Sequence, residues 1–162
     1  MPLKIGDKAP DFTLKSKNTT GEPIDITLSD YIGKKVVLLF YPLSFTSVCT
    51  DEMCTISGGF NEYSQLDAVV LGISVDSIFT QEAWAKSNNI TIPLLSDFNC
   101  EVSEKYGTKY ADGEFVLGMN GVSKRAAFVI DRDGIIQYIE ILDDAGKLPN
   151  FEKIKEVLRN LK

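Results

Sequence analysis

The 162-residue chain contains no histidine. Ser-His-Asp and Cys-His nucleophile machinery is thereby excluded, together with every His-containing metal site. A nucleophile in this chain must be activated by burial geometry, a helix terminus, arginine or lysine. Cysteine is scarce, at three residues, and three thiols in a chain read as cytoplasmic favour redox chemistry over a structural disulfide framework. Zinc would need Cys49, Cys54, Cys100 and a carboxylate. The Cys-x4-Cys spacing can fit such a site, but no second ligand pair accompanies it, so no metal is expected. Long apolar runs are also missing: Val36 to Leu43 is the longest, contains Pro42 and is far too short to span a bilayer. There is no basic excess, with 23 acidic against 17 basic side chains and a net charge of −6. Nucleic acid and anionic membranes are therefore not expected as partners. Lys4, Asp7 and Lys8 stand where a secretory apolar segment would lie, so no signal peptide is expected and the cytoplasm is the default compartment. No glycine-rich phosphate loop, internal repeat or linker interrupts the chain.

What is present fits one domain over residues 1–162. The predicted order begins with an extended arm and a hairpin, whose return strand is Pro23–Leu28. A central strand follows over Lys35–Tyr41, then a helix from Ser47 to about Leu66, interrupted at Gly58-Gly59 and carrying Asp51 and Glu52 in its first turn. A second buried strand spans Ala68–Val75, a helix runs from about Phe79 to Asn88, and Leu94-Leu95 is a short strand. Asn99–Tyr106 reads as a short helix. Thr108–Lys124 reads as a long loop with a brief strand at Phe115-Val116-Leu117. Asp131-Arg132-Asp133-Gly134 joins two further strands, Arg125–Asp131 and Ile135–Leu142, and Asn150 caps a terminal helix. Phe60, Tyr63 and Leu66 follow core spacing. Such an order is α/β, a mixed central sheet with helices on both faces and an amino-terminal β-hairpin.

The chain is organised around Val36–Cys54. An apolar strand ends at Pro42, a short turn follows, and Cys49 stands in the opening turn of the next helix, at the carboxyl edge of the sheet. A thiolate, not a thiol, is the competent nucleophile. Two features favour the thiolate here. The unpaired N–H groups and dipole of the helix start stabilise an anion, and Arg125 leads a strand that can lie beside the central one, bringing a permanent forked cation to the same edge. Glu52 lies three residues after Cys49 on the same helix face; its expected role is to hold Arg125. Thr46 can cap the helix and donate toward a bound oxygen. The plainer alternatives are that Thr46 is only a cap, Arg125 a solvated strand-end charge, and Trp84 a packing residue.

Phe40-Tyr41-Pro42, Thr46, Cys49-Thr50 and Glu52, with Arg125-x-x-Phe128-Val129-Ile130-Asp131 further on, resemble the peroxiredoxin signature Pro-x3-Thr-x2-Cys and its distant arginine. Gly6-Asp7-x-Ala9-Pro10-Asp11-Phe12, Trp84 and Pro93-Leu94-Leu95-Ser96-Asp97 are also similar to that family, the AhpC/TSA superfamily. The resemblance implies a thioredoxin-like fold and a thiol peroxidase without metal, haem or flavin. It implies that Cys49 attacks a hydroperoxide to give a sulfenic acid, that Pro42 shields the sulfur, and that Thr46 and Arg125 align the peroxide. It also implies recycling by thioredoxin or a similar dithiol donor. Cys54, five residues after Cys49, has the spacing of the resolving cysteine in the Q-type, bacterioferritin comigratory protein-like subgroup, whereas Leu43 and Phe45 look more like E-type relatives. On an intact helix, i and i+5 Cα atoms lie roughly 8–9 Å apart, and disulfides seldom bridge beyond about 7 Å. Forming Cys49–Cys54 must therefore unwind the first turns, with Gly58-Gly59 as a natural end. Cys100 is expected to be inert, and the assembly to be a monomer or a homodimer. A protein dithiol-disulfide oxidoreductase would carry Cys-x2-Cys, which is missing; a non-catalytic redox sensor would be oxidised once, without sustained turnover.

Overall fold

The computed structural model describes residues 2–162, apart from the side chain of Phe60, so the core reading of Phe60 lies outside the described side chains. Strands Thr13–Ser16 (β1), Ile24–Thr27 (β2), Lys35–Phe40 (β3), Ala68–Ser74 (β4), Leu94–Ser96 (β5), Arg125–Ile130 (β6) and Ile136–Leu142 (β7) form one sheet in the order β2-β1-β5-β4-β3-β6-β7. All six residues of β3 are buried, and the strand runs parallel to β4 and antiparallel to β6. Burial of each large apolar side chain contributes about 1.5–3 kcal/mol, which makes β3 the anchor of the sheet. Helices are Ser47–Gly58 (α1), Phe60–Gln65 (α2), Ile78–Asn88 (α3), Glu101–Lys105 (α4) and Phe151–Asn160 (α5). Met53, Ile56, Tyr63, Trp84, Ile154 and Leu158 pack on one face of the sheet; Ala9, Phe12, Leu28, Val102 and Tyr106 cover the other. Leu66 packs against the first of these clusters. This is the thioredoxin-like fold expected from the sequence, with its amino-terminal hairpin β1-β2.

Two register details position the site. Phe40 pairs with Ala126, so antiparallel β6 begins where β3 ends and Arg125 stands at the carboxyl edge of the central strand. Gly72 in β4 leaves room for the Leu94 side chain of β5: a Cβ there would lie only 2.8 Å from Leu94 Cδ2, whereas its 3.5 Å distance to Met53 Sδ of α1 is ordinary contact.

The structure departs from the sequence reading in three places. Helix α1 starts at Ser47 as expected, but its first turn, Ser47–Thr50, holds no acidic residue; Asp51 and Glu52 fall in the second turn, one helical turn from the amino-terminal end. Val116–Gly118 is a 3₁₀ turn with Leu117 at φ 60°, not a strand. Both edges of the adjacent β6 are already taken by β3 and β7, and the flanking Gly113, Gly118 and Gly121 all have positive φ. The helix expected over Asn99–Tyr106 shortens to α4, and Cys100 is its N-cap in a left-handed conformation. The Asp131–Gly134 hairpin and the Asn150 cap are as expected; Asn150 Oδ1 accepts from Lys153 N at 3.0 Å. No helix of the described residues is long and apolar enough to cross a membrane.

Candidate active site

Thr46 is the N-cap residue of α1, in extended conformation, so Cys49 occupies the third helical position, within the turn whose amide groups lack intrahelical partners. Its side chain points into the core and is 1% exposed. Arg125 reaches it from the start of β6: Nη2 donates to Cys49 Sγ at 3.2 Å and to the Ala145 carbonyl at 3.0 Å. The other guanidinium arm donates from Nη1 to Glu52 Oε2 at 2.5 Å. Arg125 is 1% exposed and Glu52 fully buried, which overturns the alternative of a solvated strand-end charge. The antiparallel pairing of β6 with β3 brings Arg125 to Cys49 and Glu52, which lie 76 and 73 positions before it in the sequence. One forked cation thus serves two acidic groups, one on each arm.

Pro42, Thr46, Phe115, Arg125, Ala145 and Gly146 surround Cys49 in a cleft of about 220 Å³, room for a small peroxide. Thr46 does not cap α1 through its side chain. Its hydroxyl donates to the Leu43 carbonyl at 2.8 Å. That single proton is committed, so the hydroxyl presents lone pairs to the cleft and is set to accept from a peroxide O–H instead of donating. Phe115 and the Ala145 carbonyl were not legible in the sequence, since both come from irregular loops brought in by the fold. The profile of the AhpC/TSA family matches residues 5–139, across every element that builds this cleft except the Ala145-Gly146 loop.

The chain belongs to that family. It is 39% identical to the 2-cysteine peroxiredoxin of the Chattonella marina var. antiqua chloroplast, over 99% of this chain and 80% of that protein. It is 39% identical to peroxiredoxin-2 of Cricetulus griseus, over 96% of this chain and 76% of that one. Among solved structures, reduced Plasmodium vivax 2-Cys peroxiredoxin superposes with a TM-score of 0.86 at 30% identity, covering 97% of this chain and 81% of the other. Mycobacterium tuberculosis AhpC gives 0.82 at 28% identity, covering 98% and 92%. The protein is a thiol-dependent peroxidase.

The other two thiols of this peroxiredoxin lie apart from the cleft. Cys54 is exposed and its Sγ lies 3.5 Å from the Asn88 carbonyl at the end of α3. Five residues of helix rotate a side chain by about 500°, so Cys54 points away from Cys49. Cys100 Sγ donates to the Gly121 carbonyl at 3.2 Å, and burial pushes its thiol up, consistent with an unreactive group. Trp84 packs in the core, its ring centroid 5.2 Å from that of Tyr41, and also donates from Nε1 to Thr50 Oγ1 at 3.0 Å. The residue next to Cys49 is thus tied to α3. Among the described residues no group of three or more Cys, Asp or Glu side chains converges to hold a metal.

Burial raises the Glu52 carboxyl from 4.5 to about 7, against the opposing charge and hydrogen bond of Arg125. Its Oε1 has no partner among the described residues. The Arg125 guanidinium is raised as well: burial disfavours its charge, but Glu52 and Cys49 outweigh that cost. The folded protein therefore holds a proton on Glu52 that the unfolded chain releases. Stability from this group is full below about pH 4.5 and is lost as pH rises through about 7. Urea unfolding of wild type and Glu52→Gln across pH 5–8 tests this. The wild-type free energy is expected to fall relative to the variant by up to ~1.4 kcal/mol per pH unit; parallel profiles would exclude it.

Proposed function

We propose that Cys49 is the peroxidatic cysteine and Cys54 its resolving partner, in a Q-type-like cycle. The Cys49 thiolate attacks the terminal oxygen of a hydroperoxide. An S–O bond forms, the O–O bond breaks, and its electron pair leaves with the alkoxide or hydroxide, which takes a proton to become alcohol or water. Arg125 and the amide groups opening α1 face the charge that develops on both ends of this transfer; Thr46 accepts the peroxide O–H, and Pro42 walls the cleft against solvent. Glu52 holds Arg125 in place. The Cys54 sulfur then displaces water from the sulfenic acid, and thioredoxin or a similar dithiol reduces the resulting disulfide. The observation that carries this reading is the 3.2 Å contact between Arg125 Nη2 and the buried Cys49 Sγ.

The reading extends to one domain over residues 1–162, hydrogen peroxide and organic hydroperoxides as substrates, a monomer or homodimer, and the cytoplasm, where dithiol reductants are maintained. Resolution by Cys54 requires α1 to open, because the two sulfurs face opposite sides of the helix. Trp84, the chain's one tryptophan, is bonded to Thr50 within the segment that unwinds. One equivalent of peroxide is therefore expected to change wild-type tryptophan fluorescence in two phases, with a Cys49–Cys54 bond found by peptide mass spectrometry. Cys54→Ser is expected to keep the first phase, lose the second and consume one equivalent of peroxide without NADPH oxidation through thioredoxin reductase and thioredoxin. Sustained coupled activity in that variant would assign resolution to another group.

A further inference from the structure

The turn that carries Pro42 and Thr46 is held in a conformation its own sequence disfavours. Phe45 lies at φ 68° although it is a bulky aromatic, and left-handed backbone in such a residue costs on the order of 1–3 kcal/mol and persists only where the surroundings enforce it. Its ring is 58% exposed, so packing of the side chain does not do the enforcing. The restraint comes from the turn that follows β4. One oxygen of Asp76, Oδ2, accepts from Ser44 N at 2.8 Å, from Ser44 Oγ at 2.9 Å and from Ser74 Oγ at 2.7 Å. Buried Gln81 braces the arrangement from α3, donating from Nε2 to Ser74 Oγ at 3.0 Å and to the Leu95 carbonyl at 2.8 Å. Tyr41 Oη lies 3.3 Å from Ser44 Oγ.

We infer that Asp76 is a positioning residue for the peroxidase reaction: its carboxylate grips Ser44, and through Ser44 fixes the strained turn that sets Thr46 and Pro42 over Cys49. Asp76 does not line the cleft, so it acts only through the turn. Hydrogen bonds to an ionised carboxylate are the stronger kind, and three on one oxygen, two of them from Ser44, fix that residue's backbone and side chain together. Released, the turn relaxes toward negative φ at Phe45, which swings the adjacent Thr46 hydroxyl. A misplacement of about 1 Å in an aligning group can cost on the order of 100-fold in rate. The inference rests on the roles given above to Cys49, Thr46 and Pro42.

The test uses the full chain with Cys54→Ser and Cys100→Ser, so that Cys49 is the only thiol. Two rates are followed, sulfenic acid formation with hydrogen peroxide and alkylation with iodoacetamide. Alkylation needs the thiolate but no peroxide alignment by Thr46. Asp76→Ala is expected to lower the peroxide rate by about 10- to 100-fold while alkylation stays within about threefold of the parent, by the same distinction between alignment and nucleophilicity. A general loosening of the fold would change both rates and could not produce the split. Adding Phe45→Asn, which tolerates the left-handed region, is expected to restore most of the lost peroxide rate without restoring the carboxylate. If Asp76→Ala does not fold, Asp76→Asn takes its place and is expected to show the same split with a smaller fall. An unchanged peroxide rate, equal loss in both reactions, or no rescue by Phe45→Asn would overturn the positioning role. Peroxide consumption that survives Cys49→Ser would instead overturn the underlying site.

Discussion

Cys49→Ser is expected to abolish peroxide-driven NADPH oxidation in the thioredoxin-coupled assay, a fall of at least about 10³-fold, while leaving the fold intact. The two halves of that expectation have different causes. Serine is nearly the size of cysteine, so the buried position between the sheet and α1 is still filled, and its hydroxyl can accept from Arg125 Nη2 where the sulfur now does. Melting is therefore expected within a few degrees of wild type. The chemistry does not survive, because an alcohol is not ionised at neutral pH and no histidine exists to serve as its base, whereas a thiolate attacks without one. Activity in the variant would move the nucleophile to Cys54 or Cys100. The geometry argues against both: each hydrogen-bonds a backbone carbonyl, and no guanidinium donates to either among the described residues.

The difference between what was legible in the sequence and what was not follows the range of the interactions. Strand β3, the turn after it and the cysteine in a helix opening are written in neighbouring residues, so local pattern was enough. The partnership of Arg125 with Cys49 was legible because a strand led by Lys124-Arg125 could lie beside the central one and because the resemblance includes a distant arginine; the antiparallel pairing with β3 is what brings its first residue to the sulfur. Thr46 shows the limit. Its type fits a cap, but the hydroxyl turns to the Leu43 carbonyl, a choice set by the turn geometry that Asp76 enforces from the turn after β4. Ser74-x-Asp76 at the carboxyl end of β4 was the available signal for that restraint, two polar groups closing an apolar strand beside the site. Phe115 and Ala145 gave none, because irregular loops carry no periodicity from which a facing direction can be read.

Arg125→Met separates the stability of the site from its chemistry. Removing the guanidinium leaves Glu52 fully buried with no counter-charge, and breaking a buried pair from one side costs about 3–5 kcal/mol. Part of that loss is avoided at neutral pH, because a carboxyl already raised to about 7 takes a proton more readily once Arg125 is gone. The variant is thus expected to be destabilised, and more so as pH rises above 7. Its peroxide rate is expected to fall by about 10²- to 10³-fold, the usual cost of losing a preorganised donor to developing charge. Arg125→Lys keeps the charge but not the fork: one ammonium cannot reproduce two arms aimed at Cys49 and Glu52 while also reaching the Ala145 carbonyl. It should recover stability better than rate. The decisive variant is Arg125→Met with Glu52→Gln. With both charges gone, urea unfolding should return most of the lost stability, since replacing a whole buried pair by neutral groups is often nearly neutral, yet stopped-flow oxidation should stay as slow as in the single variant. If rate returned along with stability, the guanidinium would be a structural brace for α1 and Cys49 would owe its reactivity to the helix terminus alone.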